Sequence, residues 1–156
     1  MRPLILVSLV LGSLLASLSF AQGTPPATDH SAHTTVDPIA MQAPPPGAKV
    51  SFVAPKDGAV VPQKLKVVFG VEGMLVVPAG EIKPGTGHHH LIIDGSPNPL
   101  GAIVPKDDKN LHFGTGATEA EIVLTPGEHT LTMQFADGIH RSYGPQMATT
   151  IKVKVQ

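Results

Sequence analysis

From Lys49 onward, apolar and polar residues alternate in short runs separated by Pro and Gly. Val50 and Phe52 alternate with Lys49 and Ser51, and Leu65, Val67, Phe69 and Val71 with Lys64, Lys66 and Glu72. The same period returns in Ile122 and Leu124, and again where His129, Leu131, Met133 and Phe135 stand opposite Thr130, Thr132 and Gln134. It closes the chain with Ile151, Val153 and Val155 against Thr150, Lys152 and Lys154. A period of two sends successive side chains to opposite faces, so each run predicts a strand with one buried and one wet face. Pro55-Lys56-Asp57-Gly58, Gly95-Ser96-Pro97-Asn98-Pro99 and Pro126-Gly127 supply turns, and Met74 to Gly87 reads as a long connection. About seven strands without a helical period predict an all-β fold, an antiparallel two-sheet sandwich of the immunoglobulin-like kind, over 49–156.

The chain ahead of this region has a different texture. Met1 to Ala21 combines Arg2, an apolar run from Leu4 to Leu18 and small residues at Ser19 and Ala21, the pattern of a secretory signal cleaved before Gln22. That run is shorter than the roughly 20 residues of a membrane-spanning helix, so a periplasmic or secreted protein with no span after cleavage is expected. Residues 22–48 hold six of the sixteen prolines and few large apolar side chains, which predicts a disordered Pro/Thr/Ala-rich linker. Within it, Asp29-His30-Ser31-Ala32-His33 and Met41 fit a solvated tail, and are also similar to metal-collecting segments of exported copper-resistance proteins.

Composition narrows the chemistry. The chain has no cysteine, so neither disulfides nor thiolate sites are available. Loss of Arg2 with the signal leaves ten basic residues against twelve acidic, and no basic field for nucleic acid or an anionic membrane. The Gly-x-Ser-x-Gly elbow, the His-Glu-x-x-His helix and the Gly-rich phosphate loop are all missing, which argues against an enzyme.

The chemical signal lies in Gly87-His88-His89-His90-Leu91-Ile92-Ile93-Asp94-Gly95, where three of the eight histidines stand side by side. On a strand, His88, His90, Ile92 and Asp94 share one face, and His89, Leu91 and Ile93 the other. Burying Asp94 is costly, so the second set should face inward. His88 and His90 then stand on an accessible face about 6.5 to 7 Å apart at Cα, a spacing from which two imidazoles reach one metal ion. His112 alternates with Leu111 and Phe113 and should join them, and His140 sits in a turn after a long strand. The expected metal ligands are His88, His90, His112 and His140, holding copper ahead of zinc because nitrogen ligation without thiolate suits the later divalent metals. His89 reads as a hydrogen-bonded core histidine, and His129 as a structural residue where many sandwich domains place a corner tyrosine. Asp94 and Asp137 read as turn residues, Met74 and Met147 as packing.

Several stretches resemble a family of small exported bacterial domains of unknown function. They are Pro55-Lys56-Asp57-Gly58, Val68 to Met74, Gly87 to Gly95, His112-Phe113-Gly114, Pro126 to Leu131, and Phe135 to Pro145 with its Ala136-Asp137-Gly138-Ile139-His140-Arg141-Ser142-Tyr143-Gly144-Pro145. The resemblance implies an immunoglobulin-like sandwich behind a signal peptide and no known activity. A His-x-His strand on a sandwich is also similar to copper-zinc superoxide dismutases, but their wider ligand set and disulfide cysteines have no counterpart here. Two functions are therefore expected in competition. One is a non-enzymatic metal-binding domain; the other is a structural or protein-interaction module of the cell envelope, with an envelope protein as partner and no bound metal. The processing expectation is directly measurable: the secreted protein should begin at Gln22, and intact mass should show the loss of residues 1–21.

Overall fold

The computed structural model describes residues 41–156; the signal and the linker as far as residue 40 lie outside them. Nine strands follow in order: β1 (Lys49–Ala54), β2 (Ala59–Val61), β3 (Lys64–Glu72), β4 (Leu75–Val76), β5 (Thr86–Ile93), β6 (Asn110–His112), β7 (Glu119–Val123), β8 (Gly127–Ala136) and β9 (Ala148–Val155). A single 3-10 turn, Pro145–Met147, is the only helical element among the described residues. None is long and apolar enough to cross a membrane.

The strands form two sheets, β1-β3-β7 and β2-β9-β8-β5, with β4 and β6 also bonded to β5. Strands one, three and seven facing a sheet built on nine, eight and five is the ABE-against-GFC arrangement of the immunoglobulin-like sandwich. The chain begins on one sheet with β1 and crosses to the other, where β2 runs parallel to β9. Very short β2 and β4 are the strands that the hydropathy pattern does not reveal, because two or three residues show no period.

Between the sheets the alternation holds as expected. Leu65, Val67 and Phe69 of β3 meet Leu131, Met133 and Phe135 of β8 in one apolar cluster, joined by Leu91 and Ile151. Met74 and Met147 belong to it, and Met41 and Ala48, both within the stretch expected to be linker, pack against it. The outer face of the smaller sheet is wet: Lys49–Glu72, Lys64–Glu121 and Lys66–Glu119 pair across strands at 2.8 to 3.1 Å. Exposed pairs of this kind contribute at most about 1 kcal/mol each and mainly keep that face polar.

The larger sheet breaks the expected pattern. β5 is bonded to β8 along one edge, and along the other to β4 near its start and β6 near its end. Seven of its eight residues are buried on both faces. Loops cover the outer face and are tied down by backbone bonds: Ala79 N–H to Gly114 O, Gly80 N–H to Gly138 O and Val104 N–H to His140 O, at 2.8 to 2.9 Å. Beneath them Gln134 of β8 is fully buried, accepting from Asn98 N–H and donating to the carbonyls of Gly144 and Met147. Tyr143 closes the same region by donating to Thr86 O at 2.8 Å.

Such close strand packing makes Gly87 obligatory. A Cβ there would run into Ala136 O and the Phe135 ring. Gly87→Ala should cost about 1 to 3 kcal/mol, whereas Val123→Ala, at a site 71% exposed, should stay within about 0.5 kcal/mol. Urea melts of the two variants beside wild type measure the difference.

Candidate metal centre

His88 and His90 share the outer face of β5, as the alternation predicts, but they are not accessible. Both are 0% exposed, because the loops over that face exclude water. The register places His112 of β6 directly beside His90. Gly114 makes room for it, since a Cβ there would collide with the His112 ring. His140 arrives from the turn after β8. Asp137 shapes that turn, its Oδ1 accepting from the N–H of Ile139 and Arg141 at 3.0 and 2.9 Å and its Oδ2 from Arg141 Nε at 2.7 Å. His140 takes a left-handed backbone, φ 71°, inside it. The result swings its ring over β6.

The rings of the four histidines therefore lie side by side. His88 Nε2 lies 3.0 Å from His90 Nε2, and His112 Nε2 3.0 Å from His140 Nε2. Ring centroids of His88 are 5.1 Å from those of both His112 and His140. Among the described residues, His88, His112 and His140 form the one group whose ligand atoms all lie within 4.8 Å of one another. His90 falls outside that trio but touches it through His88, and its ring is 5.0 Å from that of His112. Asp94 and Asp137 take turn positions: Asp94 has φ 54° just beyond β5, and Asp137 is bound to Arg141.

Burial sets the charge state of the cluster. Loss of water, reinforced by the neighbouring imidazoles, holds His88 down to about 4 and His90 down to about 2. Burial and then His140 lower His112 as well. These rings are neutral at pH 7, so their lone pairs are available. Each 3.0 Å contact is either an N–H donating to a lone pair or two lone pairs facing a common site. The Nδ1 atoms of His88 and His90 are buried with no hydrogen-bond partner.

Two further histidines resolve differently. His89 faces the core, its ring 5.1 Å from those of Phe69 and Phe135, and burial holds it down to about 4. The expected hydrogen bonds are missing, for neither ring nitrogen has a partner. His129 does tie a corner: Nδ1 donates to Asp94 Oδ2 at 2.8 Å and Nε2 to Thr125 O at 3.0 Å. Thr125 Oγ1 is also 3.3 Å from Nε2, so Asp94, His129 and Thr125 mimic the order of a hydrolase triad. Asp94 comes first in raising the pKa of His129, and with a partner at each ring nitrogen the side chain is a tie between Asp94 and Thr125. It is half-buried rather than buried.

Sequence reasoning missed Gly114 as part of this site, since a Gly two residues after His112 means something only once the rings are known to meet. Asp137 is the turn residue it was expected to be, and the turn it shapes carries His140.

A family model described as a domain of unknown function (DUF4399) matches residues 67–156, more than half of the chain and all of the histidine cluster. This agrees with the resemblance to a family of unknown function. No curated protein matches. Among solved structures, an endo-beta-1,4-mannanase from Thermotoga petrophila aligns at 19% identity and a TM-score of 0.42, over 70% of this chain and 20% of that one. The chain thus spans a fifth of that enzyme's length. Fibronectin(III)-like modules of Clostridium thermocellum CbhA align at 16% identity and a TM-score of 0.42, over 69% of this chain and 96% of that one. Likeness at this level says nothing of what this chain binds.

The lowered histidines make a prediction for the metal-free protein. Above pH 6.5 His88, His89 and His90 are neutral whether folded or not. As pH falls below 6.5 the unfolded chain takes up protons that the folded chain refuses, so stability drops until the folded values are reached. Three such groups approach a slope of about 4 kcal/mol per pH unit between 6 and 4. His129 works in the opposite sense: its contribution is complete below 6.5 and is lost as pH rises through its raised value. Urea melts from pH 7 to pH 4.5 should show the steep acid loss; a flat profile would mean that the imidazoles are hydrated.

Proposed function

We propose that this chain, which belongs to the DUF4399 family of domains of unknown function, is a non-enzymatic metal-binding sandwich domain. Copper is the preferred ion and zinc the second. His88, His112 and His140 hold it, with His90 as the fourth ligand, in a protein acting in the periplasm or outside the cell. The observation that carries this reading is the convergence of imidazoles from β5, β6 and the turn after β8, with three ligand atoms within 4.8 Å of one another. Neutral rings support it, since protons compete for these lone pairs only well below the ordinary imidazole range. Metal–imidazole bonds of about 2.0 to 2.1 Å put neighbouring ligands about 2.9 Å apart in a square arrangement and about 3.3 Å apart in a tetrahedral one. Within that trio the 3.0 Å contact of His112 with His140 lies nearer the square value, which tetragonal Cu(II) favours.

One observation favours the competing module without a metal. Ligating histidines almost always donate their second nitrogen to an acceptor, and here the Nδ1 atoms of His88 and His90 find none. In that reading each 3.0 Å contact is an N–H···N bond inside a polar patch of the core, and the domain acts through its surface.

Titration separates the two. The full chain near pH 7 should take up one equivalent of Cu(II) at this site with a dissociation constant below about 10 μM. His112→Ala and His140→Ala act on half-buried residues and keep the fold. Each should weaken binding by at least the roughly 10- to 100-fold that loss of a supporting contact costs. Replacing His88 and His90 is the poorer test, because their burial makes Ala substitutions leave cavities. Calorimetry with a melt on each variant reads both effects. Uptake that is unchanged in both single variants would assign the copper elsewhere and leave the module without a metal.

A further inference from the structure

The histidine cluster has a closed floor and an open mouth. His88 and His90 are fully buried. His112 and His140 instead reach an open surface pocket of about 480 Å³, whose other walls are Ile103, Val104, Pro105 and Lys106. Those walls are held against the cluster, since Val104 N–H donates to His140 O at 2.9 Å and Ile103 pairs with Arg141. The mouth is therefore apolar apart from two imidazoles and one ammonium.

Charge decides what such a mouth accepts. Lys106 is the cation that lines the pocket beside His112 and His140. Two carboxylates of the flanking turns are otherwise engaged. Asp137 is bound by Arg141 at 2.7 Å, and Asp107 accepts from the N–H groups of Lys109 and Asn110 and from the Asn110 amide. A divalent ion on neutral imidazoles has no anionic ligand to offset its charge, and low-dielectric walls leave that charge poorly screened. An anion arriving at the mouth would meet the metal in front and the ammonium beside it.

We propose that this pocket binds a small monoanion, of the size of azide or a short carboxylate, which completes the coordination of the metal from the His112 and His140 side while Lys106 balances its charge. This rests on the metal-binding reading above. No electron or group transfer is involved; one coordination bond forms.

The test uses the full chain carrying one equivalent of Cu(II), with copper content measured on every sample. Sodium azide should produce a saturable azide-to-copper absorption band, and acetate should compete for it. Lys106→Gln changes an exposed residue. It should keep its copper and bind azide roughly three- to tenfold more weakly, with the difference shrinking as salt rises and Lys106→Arg restoring affinity. A chain that retains copper while azide leaves its spectrum unchanged overturns the anion site and spares the metal site. Equal azide affinity in Lys106→Gln overturns the assignment of Lys106. A chain that takes up no copper overturns the metal reading, and this inference falls with it.

Discussion

Everything distinctive about this domain follows from β5 being dry on both faces. A sandwich strand normally keeps one face in the core and one in water, and the smaller sheet does so, with its Lys and Glu pairs outward. β5 instead carries Leu91 and His89 against the core and His88 and His90 under loops. Imidazoles placed there cannot hold a proton without losing the solvation of the charge, so they stay neutral. Neutral rings packed side by side do not repel, which lets His88, His90 and His112 crowd together, and His140 joins them at ring separations of 4.6 to 5.8 Å.

The same dryness dictates how the loops are built. Covering a sheet face with irregular chain buries backbone polar groups, each of which needs a partner. Gln134 meets part of that demand from within the sheet, with one amide accepting from Asn98 and donating to Gly144 and Met147. Asp137 does the same for the turn that carries His140. Tyr143 bonds Thr86 O and is pushed up to about 12, first by its burial and then by Asp137, so it is a fixed donor. Loops anchored at so many points hold His112 and His140 in place, a preorganisation that would lower the cost of binding an ion there.

How much of this was legible depends on whether the cause was local. Strand periodicity is local, and the inward facing of His89, Leu91 and Ile93 opposite Phe135, Met133 and Leu131 follows from it. The choice between His112 and its neighbours is settled likewise by Leu111 and Phe113 packing on the core. Exposure is not local. Nothing in Gly87 to Gly95 reveals that residues near Ala79, Val104 and His140 will lie over it, so His88 and His90 read as surface residues. His129 shows an intermediate case: its corner role could be inferred by analogy, but its acceptor Asp94 lies 35 residues away and emerges only from the fold.

The two sheets differ in what their outer faces can do, and that difference narrows the location of function. On the smaller sheet the charges are neutralised pairwise and exposed to solvent, which suits solubility and the prevention of edge pairing. On the larger sheet an apolar cover leaves polar nitrogen inside, at a cost that a purely structural core of Ile or Val would avoid. His89 carries that cost with both nitrogens unpartnered, as do the Nδ1 atoms of His88 and His90. A metal drawn to the Nε2 side would replace two N–H···N contacts with much stronger bonds, but it would fix the proton on those same buried Nδ1 atoms. Convergence of the rings is what sets those stronger bonds against that cost, and a core built for packing alone would need neither.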